Sequence, residues 1–163
     1  EGLGPAHEPP DLHALRYRTH LSQRRTPRTH RPISSMRSAE ARIVRGSPGI
    51  DVSLAAELAR RSTRETESGL VWTWDARHRD RAAIGFDLAR HLELLSMISA
   101  PTSLVFGEAS PYLELQDLEQ RIETLKNLRS RHILPSGHSP HYECPAELAE
   151  TLLQLLKAPS PVV

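Results

Sequence analysis

Two histidines, a carboxylate and a thiol fall close together in the stretch Pro135-Ser136-Gly137-His138-Ser139-Pro140-His141-Tyr142-Glu143-Cys144-Pro145. A histidine on a loop at the end of a buried strand, held by scaffold on both sides, is a common way to present a general base. The bland alternative is a polar loop carrying two exposed histidines. A zinc site built from His138, His141, Glu143 and Cys144 has the right ligand types. However, one turn–helix junction rarely points all four inward, and no second ligand pair appears elsewhere, so no metal is expected. His141 is then a pocket-rim or packing residue. Cys144 reads as a small buried residue opening the last helix, with Pro145 at its first position.

The elements that must hold this loop are legible around it. Ile133-Leu134 reads as the end of a short buried strand, and Pro145 to Leu156 as an amphipathic helix. Upstream, Pro101 leads into Thr102-Ser103-Leu104-Val105-Phe106, a run of β-formers stopped by Gly107. Leu115, Leu118, Ile122 and Leu125 then recur at helical spacing and share a face. The order is strand, helix, strand, histidine loop, helix. A crossover of this length implies parallel pairing with helices packed on the sheet, an α/β architecture.

These pieces carry a resemblance. Ile98-Ser99-Ala100-Pro101-Thr102-Ser103-Leu104-Val105-Phe106-Gly107-Glu108-Ala109-Ser110, the helix after it, Ile133-Leu134-Pro135-Ser136-Gly137-His138 with His141, Glu143 and Pro145, and the closing helix resemble the last two β-α units of an α/β-hydrolase. More narrowly they are similar to the serine hydrolase-like esterase group, over roughly residues 70–157. The resemblance implies a partial α/β-hydrolase fold: a helical cap and the last two parallel strands with flanking helices. It implies that His138 is the base of a catalytic triad acting on a small ester-like substrate, with no cofactor. It also implies that Glu1-Gly2-Leu3-Gly4-Pro5 is the exit from the strand after the nucleophile unit, so that the chain is the C-terminal half of the enzyme.

A hydrolase of this class needs a serine on a G-x-S-x-G turn, a histidine, a carboxylate and two backbone donors for the oxyanion. Only the histidine is plainly present. No G-x-S-x-G occurs, and Ser136, beside the base, lies on the wrong turn. The family's acid follows the penultimate strand, where this chain has Ser110. Two carboxylates can replace it. Glu108 is in the same turn, two residues early. Glu1 stands where the preceding strand would end, a position related dehalogenases use, and it is the favoured of the two.

Composition sets outer bounds. The 163 residues suffice for one core, the formal net charge is +1, and the single cysteine excludes a disulfide framework. No apolar run approaches a membrane span, so a soluble, intracellular protein is expected. Residues 1–37 read as an Arg/Pro-rich lead-in, 38–98 as a helical cap, 99–157 as the C-terminal part of the hydrolase core and 158–163 as a tail. In the lead-in, Arg16, Arg18, Arg24, Arg25, Arg28, Arg31 and Arg37 crowd together with no acid between them. They make either a phosphate-binding patch or a solvated, partly flexible approach to the cap, the latter being favoured. Tyr17 is the lone aromatic there, which argues against nucleic acid.

Within the cap, helices are expected over 38–46, closed by Gly46, and over 53–61, capped by Ser53, with Leu54 and Leu58 on one face. Thr63 to Gly69 reads as a polar turn and Leu70 to Asp75 as a strand or extended segment. A helix over 84–98 puts Leu88, Leu92, Leu95 and Ile98 on one face. Trp72 and Trp74 either line an acyl or aryl pocket or pack the cap on the core. Asp75 reads as a capping residue. Beside the hydrolase reading stand a catalytically inactive hydrolase-like protein or binding module, and an Arg-rich anion-binding protein.

Overall fold

The computed structural model describes residues 12–25, 29–80, 82 and 84–157. The elements are, in order, α1 (Leu12–Arg25), α2 (Met36–Gly46), α3 (Val52–Ser62), β1 (Thr63–Thr66), β2 (Gly69–Trp72), a 3-10 turn (Ala76–Arg79), α4 (Leu88–Ser96), β3 (Thr102–Gly107), a second 3-10 turn (Pro111–Glu114), α5 (Leu118–Glu123), β4 (Leu128–Leu134), α6 (Pro140–Glu143) and α7 (Pro145–Lys157). Within the lead-in, Leu12–Arg25 form α1. Its Leu15, Tyr17 and Leu21 remain exposed.

The cap side is built on small residues. Ala39 of α2 and Ala55 and Ala59 of α3 are buried, and Ile33, Ala39 and Ala59 form a cluster joined by Met36, Ile43, Leu70 and Trp72. Alanine lets two helices approach closely, so it is buried here while Leu54 and Leu58 stay half exposed. The cap of α3 is Asp51 rather than Ser53. The Asp51 carboxylate accepts from the backbone N–H groups of Ser53 and Leu54, while Ser53 donates its hydroxyl to the same oxygen. That hydroxyl, then the two backbone N–H groups, hold the Asp51 carboxyl below its ordinary range. The expected turn over Thr63–Gly69 is mostly strand. β1 pairs antiparallel with β2 through a turn at Glu67 and Ser68, and Gly69 opens β2 at φ 111°, a conformation glycine adopts at little cost.

The core side holds the parallel pair. β3 and β4 run in parallel from Thr102↔Leu128 to Gly107↔Leu134, with an irregularity after Thr102. The spacing of Leu115, Leu118, Ile122 and Leu125 does put a common apolar face on the sheet. Leu118, Ile122 and Leu125 are buried with Leu95 and Phe106, and Leu115 packs against them. The helix is shorter than that spacing predicts. Leu115 belongs to the exit of a 3-10 turn opened by Pro111, and Leu125 follows the end of α5. Likewise α4 covers Leu88–Ser96, and Ile98 lies beyond it, exposed. β4 alternates half-buried and exposed residues up to Leu134, so Ile133 is 49% exposed. That is the pattern of a strand covered on one face rather than two. No residue of α7 is buried, and Leu156 is 83% exposed.

One charge is fully enclosed. Arg121 on α5 has no exposed surface, ion-pairs with Asp117 at 2.7 Å and lies over the Phe86 ring at 4.8 Å. Removing the partner of a buried charge costs about 3–5 kcal/mol, whereas exposed helical pairs contribute little. Asp117→Ala is therefore expected to cost about 3 kcal/mol, the low end of that range because the Phe86 face remains. Glu57→Ala, which breaks the exposed pairs to Arg60 and Arg61, should be nearly silent. Urea denaturation of both variants checks the contrast, and equal effects would contradict it. The chain on its own should also bind a hydrophobic dye through its exposed leucines, and a sharp, cooperative, dye-free melt would count against that.

Candidate active site

The parallel register ends both strands on the same side, so the loops after Gly107 and Leu134 leave together. They are sewn to each other by backbone bonds: Glu108 N–H to Leu134 O at 2.8 Å and Ala109 N–H to Ser136 O at 3.0 Å. This close approach requires glycine at 107. A β-carbon there would lie 1.8 Å from Gly137 O and 2.6 Å from Ser136 O. Pro111 and Pro140 then start the 3-10 turn and α6, fixing where each loop stops.

The result brings two distant residues together. Ser110 Oγ lies 2.9 Å from His138 Nδ1. Ser110 is 4% exposed, and the same Oγ accepts from Tyr112 N–H at 3.3 Å. The Tyr112 ring stacks on the imidazole, with centroids 4.8 Å apart and planes 7° from parallel. His138 is thus oriented by a hydroxyl on Nδ1 and by an aromatic face. The ring's other nitrogen, Nε2, makes no hydrogen bond among the described residues. A ring that donates from Nδ1 to Ser110 Oγ leaves Nε2 bare, the state in which an imidazole can take a proton there.

The remaining candidates are dispersed. Glu108 uses its backbone N–H in the loop seam, and its exposed side chain makes no hydrogen bond or ion pair to His138. Glu1 lies outside the described residues. His141 is exposed on α6, its ring 4.0 Å from that of Tyr142. Cys144 is buried as α7 begins. Among the described residues no group of three or more His, Cys, Asp or Glu converges in a way that could hold a metal ion. No helix among them is long and apolar enough to cross a membrane.

Both tryptophans sit in the cap. Trp72 packs on the cap cluster. Trp74 takes the His30 ring edge-on at 4.1 Å and the Arg79 guanidinium at 4.9 Å, and its carbonyl accepts from His30 Nε2. Together with Arg31, Arg42 and Arg79 they line an open cleft of about 510 Å³, with no carboxylate among the described residues that line it. Asp75 caps the neighbouring 3-10 turn through Arg77 N–H at 2.9 Å. The Arg77 side chain, and then that N–H, hold its carboxyl at about 2.

Folds of this kind have been solved before. A thioesterase domain from the curacin biosynthetic pathway superposes with a TM-score of 0.79 at 28% identity, over 92% of this chain and 54% of that one. A hypothetical protein from Pseudomonas aeruginosa gives 0.74 at 23% identity, over 93% and 54%. An esterase from M. tuberculosis gives 0.67 at 23%, over 94% and 53%. The fold is about half of an α/β-hydrolase. The chain accordingly spans about half the length of the solved structures it matches. Neither a protein-family model nor a curated protein matches the sequence.

Two features of this site escaped the sequence. The first is that Ser110 touches the imidazole, although its position already marked it as the residue in the acid's place. The second is Glu143, whose carboxylate accepts from Gly137 N–H at 2.9 Å and so reaches back to the histidine loop. The glycine at the loop seam supports a prediction. Gly107→Ala should push the two loops apart and cost about 3 kcal/mol or more, at or beyond the usual range for overpacking. Gly46→Ala, where a β-carbon meets nothing within 4 Å, should be neutral or stabilising by about 0.4–1 kcal/mol. Thermal melts of the two variants decide it, and a harmless Gly107→Ala would overturn the seam.

Proposed function

We propose that this chain is part of a serine-type hydrolase that cleaves an ester or related acyl bond through an acyl-serine, the nucleophile being supplied by residues outside this chain. In this reading 38–98 is the cap, 99–157 belongs to the catalytic core, and 1–37 and 158–163 flank them. His138 takes the serine proton at Nε2 and later delivers it to the leaving group. The observation that supports this best is the 2.9 Å contact of Ser110 Oγ with His138 Nδ1 at the shared end of two parallel strands. It orients the ring and, in the tautomer that donates from Nδ1 to Ser110 Oγ, leaves Nε2 for chemistry. The similar structures that are named as a thioesterase and an esterase point the same way. The substrate would be a small ester or thioester, with Trp72, Trp74 and, at the rim, His141 as candidate substrate contacts.

Ser110 is neutral, so it can orient an imidazole but cannot stabilise its charged form as a carboxylate does. Glu108 faces solvent, which leaves Glu1 as the favoured acid. A second reading follows from the same serine: the parent is hydrolase-like but inactive, its acid lost. The test is turnover of a panel of acyl esters by the full-length protein. His138→Ala should lower turnover about 10²–10⁴-fold. Glu1→Gln should lower it by up to about 10⁴-fold, with Glu108→Gln silent. An inactive wild type restored by Ser110→Asp alone would establish the second reading. An active enzyme indifferent to His138→Ala would sink both.

A further inference from the structure

The Glu143 carboxylate sits where two distant glycines meet. Gly49 lies in the turn between α2 and α3, on the cap side, and Gly137 precedes the catalytic histidine. A β-carbon at Gly49 would fall 2.9 Å from Glu143 Oε2, and one at Gly137 would fall 2.9 Å from Oε1. The carboxylate therefore fills the space between the cap turn and the histidine loop, and a β-carbon on either glycine would displace it. Oε2 accepts from Gly137 N–H at 2.9 Å. Oε1 is buried with no hydrogen-bond partner. The backbone behind it is fixed, since Glu143 N–H bonds Ser139 O at 3.1 Å and Cys144 N–H bonds Pro140 O at 2.9 Å. Buried polar atoms are nearly always satisfied, so one left bare calls for an explanation.

We propose that Glu143 is a positioning residue for His138 and that it ties the base to the cap. Seated against Gly49, the carboxylate holds Gly137 N–H and with it the register of His138. When the cap turn moves away, the space on the Gly49 side opens, the strap slackens and the base leaves its place. One satisfied and one bare oxygen make this a marginal contact, which suits a coupling that must form and release. The active site would then be assembled only when the cap is closed, a familiar way to keep water from a reactive centre. This rests on the reading of His138 as the general base.

The test uses the full-length protein, with kcat expressed per site titrated by a fluorophosphonate. Misplacing a catalytic group by about 1 Å can cost about a hundredfold. Gly49→Ala, which alters only the cap turn, should lower kcat about ten- to a hundredfold with KM unchanged. Glu143→Asp, too short to reach Gly137, should do the same. Glu143→Gln keeps an oxygen that can accept from Gly137 N–H and should retain most activity. A purely structural role would instead lower the melting temperature and the number of titratable sites, with kcat per site intact, and that result would overturn the proposal. So would equal kcat in Glu143→Asp and Glu143→Gln. If Gly49→Ala does not fold, the comparison of those two decides the matter. Should His138→Ala prove harmless, the reading of the base fails first. If His138→Ala inactivates while Gly49→Ala and Glu143→Asp are silent, only the coupling fails.

Discussion

The contact on which the site depends is between two stretches of backbone. Gly107 ends β3 so close to the carbonyl groups of Ser136 and Gly137 that no side chain fits between them. Because β3 and β4 are parallel and in register to their last pair, Gly107↔Leu134, both chains turn at the same level. The seam bonds from Glu108 and Ala109 then fix the two loops to one another. Ser110 and His138 meet as a consequence of that geometry. Their 2.9 Å contact is set by strand register and a missing β-carbon, not by mutual attraction alone. A neutral hydroxyl and an imidazole could not by themselves overcome the entropy of ordering two loops.

What the contact accomplishes is one part of what a triad acid does. A carboxylate on Nδ1 selects the tautomer, orients the ring and stabilises its positive charge. Ser110 supplies orientation. It is buried, and its Oγ is already engaged by Tyr112 N–H, so its rotation is restricted. The stacked Tyr112 ring adds a second constraint and offers a cation a favourable face. Charge stabilisation at carboxylate strength has no source among these contacts. A site that separates the two duties can keep its base aligned whether or not the charge is supplied. Alignment of His138 is therefore weaker evidence of activity here than it would be beside an aspartate.

Much of this was readable from residues 99–157 because the relevant signals are local and strong. A run of β-formers stopped by glycine, leucines at helical spacing and a Gly-His turn before a Pro-led helix each state their own geometry. The failures have physical causes too. The spacing Leu115, Leu118, Ile122, Leu125 fits one long helix. It is met instead by a 3-10 turn, a short helix and a loop, since Pro111 starts a tighter turn and Asp117 makes no side-chain cap. Thr63 to Thr66 reads as a turn in the sequence because polar residues are common in turns. As a strand it needs only a partner, which Gly69 at positive φ delivers. Arg121 carries no mark of burial in the sequence, where arginine is abundant. Glu143 could have been noticed only as a carboxylate at fixed distance from the histidine, and its glycine partner on the cap lies too far along the chain for any local pattern to reveal.

The two sides of the molecule are held by different means, and the site lies between them. On the cap side, α2 and α3 approach through Ala39, Ala55 and Ala59, and the hairpin closes over Ile33, while Val44, Val52 and Ile84 stay exposed. On the core side, β3 has one strand neighbour, β4 leaves Ile133 exposed, and α7 buries no residue at all. Local stability follows burial, and the His138 loop hangs between β4, which ends in buried Leu134, and α7, which buries no residue. Contacts that reach it from the cap then count for more than their number suggests. The Glu143 carboxylate against Gly49 is such a contact, and it acts on the loop that carries His138. A loop that leads into a helix with no buried residue gains rigidity from what packs on it from across the site. On the proposed coupling, closing the cap and ordering His138 would be parts of one event.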